Sequence, residues 1–322
     1  MTFDSFAGNL LLKEQLYSLF KSKKVPHCMI FEGPNGSGKK TIADIIARAL
    51  VCSSDDIFSC DNCLNCKKVI NKTHPDVIYP EKSGALQSFS VATARKIRED
   101  AYVIPNEAKH KVYIFQDANN MNSSAQNALL KILEEPPKNV IFIFICESSS
   151  SFLDTIKSRS QIFSVVNVSK KEAFDFICKN YPEFNENEIN NAVLKSGENI
   201  GKTIEILNSS DLSEILELAE QIAKTLVLSN EFELLKISGK ISTDRKNLRL
   251  LLNFLAEILR DALVGDIKNE ISRNLSQQIS QKKILSLINI VNKTNDLVSY
   301  NANGALLITY FTSNFYMAVL SD

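Results

Sequence analysis

The stretch that decides the fold is GPNGSGKKTIA, Gly33 to Ala43. It follows a short apolar run, CMIFE (Cys28–Glu32), and leads into the helical pattern 39–51. Strand, glycine-rich turn and helix in that order make a phosphate loop, whose backbone N–H groups and helix dipole favour an anion. The pattern G-x-x-x-x-G-K-[ST] is met at Gly33, Gly38 and Lys39, with Gly36 in the turn between them. Lys39 would reach the β- and γ-phosphates. The hydroxyl that should come next as a Mg²⁺ ligand is replaced by Lys40, with Thr41 one position later.

Further strands are predicted at DVIY (76–79), VYIF (112–115), VIFIFIC (140–146) and IFSVV (162–166). They are continuously apolar rather than alternating, the mark of a parallel sheet covered on both faces. Helical patterns at 90–102 and 123–135 lie between them, the second with Ser123 as its N-cap and Pro136–Pro137 as its stop. After about residue 168 the strands cease. A small helical bundle is expected to about residue 207, then longer helices at 211–228, 245–266, 278–298 and 305–320. The fold class is α/β: a P-loop parallel sheet with a helical lid, plus an all-α C-terminal domain. The expected domains are 1–166, 167–208 and 209–322.

The chain has 322 residues with 37 basic and 37 acidic side chains, so a dedicated duplex-binding surface is not expected. No apolar run approaches the roughly 18 residues that cross a bilayer, and a cytoplasmic location is expected. Four of the seven cysteines, Cys52, Cys60, Cys63 and Cys66, fall close together. Four thiolates in one excursion suit tetrahedral Zn²⁺ in a structural role, since no coordination position stays open. A two-cysteine redox pair is the alternative; Cys28 and Cys146 are expected in the core. The three histidines do not cluster and read as structural.

The acidic Mg²⁺ ligand of a phosphate-loop enzyme ends a later strand. Here that place holds Gln116, followed by Asp117. Lys40 and Gln116 damage one magnesium site from two sides. No Mg²⁺ is therefore predicted, ATP or ADP binding is expected to be weak or absent, and any that remains should be indifferent to Mg²⁺. An alternative lets Thr41 and Asp117 rebuild the site, although one step along a helix or strand should turn either side chain away.

The chain resembles the bacterial DNA polymerase III clamp-loader AAA+ family, its delta-prime branch above all. The likeness is dense from residue 6 to 163 and rests on the loop, the cysteine cluster, HPDV (74–77), KVYIFQDANNM (111–121), NALLKILEEPPKNVIF (127–142) and TIKSRSQIF (155–163). The resemblance implies a structural zinc module at 52–66. It also implies an arginine finger at Arg159, beside Ser158 and with Ser160 where the family has Cys, acting in trans on a neighbour's ATP. The family's lid arginine position falls on Gly201, and its polar sensor position on Cys146–Glu147. The function implied is a non-hydrolysing stator in a hetero-oligomeric ring with a motor ATPase and a delta-like wrench, loading a sliding clamp at primed DNA. An active tau/gamma-like motor is the alternative. Glu134 and Glu135 are read as scaffold, above Leu129, Leu130 and Leu133.

Overall fold

The computed structural model describes residues 3–54, 57–82, 88–197, 199–228, 233, 236–237, 240–241, 244–265, 270–299 and 303–320. The chain divides into two compact units, Met1–Ile204 and Glu205–Asp322.

In the first unit the described elements run α1 (Leu10–Lys21), β1 (Cys28–Glu32), α2 (Lys39–Val51), α3 (Leu64–Ile70), β2 (Val77–Ile78), α4 (Val91–Asp100), β3 (Lys111–Phe115), α5 (Ser123–Glu134), β4 (Val140–Cys146), α6 (Asp154–Lys157) and β5 (Gln161–Ser164). The strands pair in parallel in the order β2-β3-β4-β1-β5. The glycine loop leaves the carboxyl end of β1, where open α/β sheets bind ligands. Every residue of β3 and β4 is buried.

Because side chains alternate along a strand, the continuous apolar runs fill two separate cores. On one face Met29, Phe31, Val112, Ile114, Ile141 and Ile143 pack with Ile42, Ile45, Ile46 and Leu50 of α2 and with Leu12 and Leu16 of α1. On the other, Ile30, Tyr113, Phe115, Phe142 and Phe144 pack with α4 and with Ala125, Leu129, Ile132 and Leu133 of α5. The register sets Tyr113 against Phe142 and Phe115 against Phe144, and both pairs stack, with ring centroids 5.3 and 4.6 Å apart. Such pairs contribute about 0.5–1.5 kcal/mol beyond their area burial.

The structure corrects several expected boundaries. Residues 162–166 are not buried on both faces: β5 is an edge strand in which Phe163 alone is buried. The N-cap of α5 is Asn122, whose Oδ1 accepts from the Ala125 amide at 2.8 Å, so the expected Ser123 is the first helical residue. An Asn one residue upstream wins because its carbonyl oxygen reaches the N3 amide from extended backbone.

The lid helices are α7 (Lys170–Asn180), α8 (Glu186–Lys195) and α9 (Ile200–Asn208). The first two begin in complete capping boxes, Ser169 with Glu172 and Asn185 with Glu188. The second unit contains α10 (Ser210–Leu228), α11 (Arg245–Val264), α12 (Glu270–Gln278), α13 (Gln281–Ser299) and α14 (Gly304–Leu320). Leu248, Leu252, Leu255 and Leu259 of α11 are fully buried in its core, together with Ile284, Leu287, Phe311 and Phe315. The expected helix 278–298 starts later, at Gln281: Gln278 ends α12, and Ser280 caps α13 by accepting from the Lys283 amide at 3.4 Å. Gly265 in the left-handed region ends α11, and the expected last residue of that helix, Asp266, lies outside the described residues. Among the described residues, no helix is long and apolar enough to cross a membrane.

Candidate functional site: a glycine loop, an anchored arginine and a cysteine cluster

The loop is held by backbone geometry that side chains would spoil. Gly33 donates its amide to Glu147 O at 3.1 Å, and a Cβ on it would stand 2.0 Å from Val165 O. Gly36 and Gly38 have φ of 79° and 94°, values that favour glycine. Lys39 opens α2, 6% exposed, with Nζ donating to Gly33 O and Pro34 O at 2.5 and 2.6 Å. Burial pulls its pKa below the usual lysine value. The ammonium that would serve phosphates is therefore committed to the loop's own carbonyls. Ser37 Oγ, also buried in the loop, makes no hydrogen bond.

The lid sits directly on this loop. Asn199 donates from Nδ2 to Asn35 O at 2.6 Å, and the Gly201 amide donates to Gly36 O at 3.0 Å. A Cβ on Gly201 would stand 2.6 Å from the Gly36 Cα, and one on Gly36 would stand 2.1 Å from Asn199 Oδ1. The position where the resemblance anticipates a lid arginine thus admits no side chain in this packing.

Two ammonium groups stand around Asp117. Asp117 Oδ2 accepts from Lys82 Nζ at 2.6 Å and meets Lys40 Nζ at 3.5 Å. Burial raises the Asp117 pKa, but the two lysines outweigh it and hold the carboxyl below its usual range. Sequence reasoning expected Asp117 to turn away from the magnesium position. Asp117 adopts left-handed backbone, φ 55°, and its carboxylate meets the two lysines. Gln116, first after β3, is half-buried, as is Thr41. A donor set with two cations around one carboxylate does not fit Mg²⁺, which needs several oxygen ligands.

Arg159 follows α6. Its Nη1 donates to Thr155 O at 2.8 Å and to Ser158 Oγ at 3.2 Å, and its Nη2 meets Glu134 Oε1 at 2.9 Å. Ser160 bonds inward: its Oγ donates to Ile156 O at 2.8 Å and lies 2.9 Å from Cys28 Sγ. Burial pushes the Cys28 thiol up to about 12, so it stays protonated beside that hydroxyl.

The sulfurs of Cys52, Cys60, Cys63 and Cys66 lie within 4.8 Å of one another, with Cys52–Cys60 at 3.5 Å and Cys52–Cys63 at 3.9 Å. A ZnS₄ tetrahedron with Zn–S near 2.3 Å has edges of about 3.8 Å. Amides already point at these sulfurs. Ser54 and Cys60 donate to Cys52 Sγ, Cys63 to Cys60 Sγ and Cys66 to Cys63 Sγ, all at 3.3–3.4 Å. Burial opposes ionisation of Cys63, yet amide and thiol hydrogen bonds overcome it and bring its pKa to about 6. The donor set fits a metal ion, and the four cysteines can hold one. Asp61 ties the module to α2 through Arg48 at 2.7 Å, and Asn65 does so through Val51 O at 2.9 Å.

The structure brings Lys40 and Asp117 together and gathers the four cysteines. Arg159 belongs to a separate cluster with Ser158 and Glu134. Sequence reasoning missed Lys82, Asn199 and Glu134 as members of these groups. Glu134 alone carried a local signal, an acid at the wrong end of a helix.

The model of the family described as "DNA polymerase III, delta subunit" matches residues 9–169, half of the chain. DNA polymerase III subunit delta' of Bacillus subtilis (strain 168) is 28% identical over 283 residues, 84% of this chain and 83% of the relative. Subunit tau of the same organism is 32% identical over 170 residues, 52% of this chain but 30% of tau. Among solved structures, a gamma subunit-related protein of Thermotoga maritima superposes with a TM-score of 0.52 at 17% identity, covering 94% of this chain and 98% of that one. That likeness concerns the fold.

Proposed function

Because the chain belongs to the DNA polymerase III delta-subunit family of clamp-loader proteins, we propose that it is the delta-prime-like stator of the loader. In this reading it hydrolyses no ATP itself and supplies Arg159, beside Ser158, to the ATP site of a neighbouring motor subunit. The observation that carries the reading is the Lys40–Asp117–Lys82 network standing where a motor would hold Mg²⁺. The lid backbone seated on Gly36 supports it. Guanidinium charge beside a γ-phosphate stabilises the charge that develops in phosphoryl transfer, and such fingers are worth about 10³–10⁵ in rate.

The chain's own residues would act in three places. Arg159 binds and neutralises at the neighbour's site. Gly33, Gly36, Gly38 and Lys39 keep the shape of the phosphate loop, while Lys40, Gln116 and Asp117 leave it without a metal and Thr41 does not restore one. Cys52, Cys60, Cys63 and Cys66 would hold a structural Zn²⁺, which supplies a cross-link and no chemistry. The helical second unit would dock into a hetero-oligomeric ring with the motor ATPase and a delta-like wrench. That ring would place a sliding clamp on primed DNA in the cytoplasm. Domains at 1–166, 167–208 and 209–322 belong to the same reading.

A motor role is the second reading, favoured by the 32% identity to tau. The test is the ATPase of a reconstituted ring, stimulated by clamp and primed DNA, with wild-type chain against Arg159→Ala. The stator reading expects a loss of about 100-fold or more with the ring still assembled. An unchanged rate would leave docking as the subunit's contribution. A ring that hydrolyses ATP at this chain's own loop, abolished by Lys39→Ala, would establish the motor reading instead.

A further inference from the structure

Glu134 and Glu135 end α5 at its C-terminus, where the helix dipole favours cations. Local helix stability gives no reason for an acid at 134. What Glu134 meets is the guanidinium of Arg159, Oε1 to Nη2 at 2.9 Å. The other terminal nitrogen of the same guanidinium is spent on Thr155 O and Ser158 Oγ. Three of five N–H donors are fixed in direction, and Nε–H and one Nη2 hydrogen are left over. With its side chain 35% exposed, Arg159 keeps those donors reachable.

Both partners are mounted on one rigid piece. Leu129 and Leu133 anchor α5 in the core beneath the sheet. The carboxamide of buried Gln126 bolts α5 to the segment before α6: Nε2 donates to Ser151 O at 2.9 Å, and Oε1 accepts from the Leu153 amide at 2.8 Å. An exposed ion pair contributes little to stability, so the consequence of this one lies in geometry. We propose that Glu134 is a positioning residue for Arg159, holding the guanidinium in the one rotamer that presents its free donors to an anionic group on a neighbouring subunit. The proposal rests on reading Arg159 as a finger acting in trans. Without Glu134 the arginine still reaches the neighbour's phosphate but spends most of its time in other rotamers. The loss therefore falls on turnover rather than on ATP affinity.

The test uses the full-length chain reconstituted with the other clamp-loader subunits, measuring kcat and KM for ATP. The variants are Glu134→Ala, Glu134→Gln, Arg159→Ala and the Glu134→Ala/Arg159→Ala double, with assembly checked by size exclusion. Glu134→Ala is expected to lower kcat about tenfold with KM unchanged. Glu134→Gln, which keeps the Oε1 acceptor, should recover most of the rate. The double variant should match Arg159→Ala alone. An unchanged kcat in Glu134→Ala would overturn the proposal, as would a raised one, which marks a latch that restrains the finger. The same fractional loss with and without Arg159 would also overturn it, by making Glu134 structural. Full activity of Arg159→Ala would bring down the finger reading itself, whatever Glu134 does.

Discussion

Asp76 has no accessible surface, yet its carboxylate stays charged because the chain folds around it. Burial alone would raise its pKa; amides of Asn106, Glu107 and Ala108 at 2.6–2.9 Å, with the Asn106 side chain, pull it below the usual carboxylate range instead. The native state therefore binds this proton less readily than the unfolded chain. Stability from Asp76 is present above the unfolded carboxylate pKa of about 3.9 and is lost as pH falls through the lower native value. Asp76→Ala should cost about 1–3 kcal/mol at neutral pH by taking the acceptor from three partly buried amides. Denaturant melts of both proteins from pH 7 down to 2.5 check this, and the gap between them should narrow as the pH falls below about 4. Gly201 makes a steric prediction at the same scale. Gly201→Arg, the residue the resemblance anticipates, would drive Cβ to 2.6 Å from the Gly36 Cα. The lid must then lift off the loop, with a loss of about 1–3 kcal/mol in the same melts.

The thiolate excursion is the element whose stability depends most on something added to the chain. Helix α3 has only seven residues and is capped by a sulfur, Cys63 Sγ accepting the Cys66 amide. So short a helix does not stand alone in water. Removing bound metal with a chelator, or making Cys60→Ser, should open residues 52–70 to protease; β3 and β4, fully buried in the sheet, should stay protected. Metal analysis should return one Zn²⁺ per wild-type chain and a sharply reduced content in Cys60→Ser. The four cysteines were legible because metal-ligand spacing is itself a sequence signal. Helix α3 was not, being shorter than two periods of any apolar pattern. Helix α1 escaped for a different reason: it starts after Asn9 without a side-chain cap, and Leu10 and Leu11 at its start are largely exposed. The buried strands were legible from their length and continuity, save at β5, where an edge position exposes what an apolar run suggests is covered. Lys82 meets Asp117 from 35 residues away, and Asn199 meets the loop from 164. Periodicity reports which face a residue lies on and never which distant partner meets it. The left-handed turn at Asp117 is equally silent, because a single non-glycine residue there leaves no pattern.

A motor subunit converts nucleotide occupancy into movement of its lid against its sheet, so the whole molecule is defined by what holds that joint. Here protein atoms hold it. Asn199 and the Gly201 amide bond the loop backbone, and Lys39 closes on the loop's carbonyls. Lys39 would have to leave those carbonyls before its ammonium could serve a triphosphate, and the ammonium groups around Asp117 offer a metal nothing in exchange. A ligand shifts an equilibrium only by its differential affinity for the two states. Nucleotide should therefore leave this chain's conformation unchanged. Titrating fluorescent ATP against the isolated chain, with Mg²⁺ and with chelator, is expected to give weak binding of equal strength in both. Hydrogen exchange at 199–203 should be the same with and without 1 mM ATP, roughly the level at which an enzyme with an intact loop saturates. A large gain in affinity on adding Mg²⁺, or faster exchange in the lid with ATP, would mean that the loop opens and that Thr41 and Asp117 find the metal. The joint would then be a nucleotide-driven hinge, and the motor reading would displace the stator.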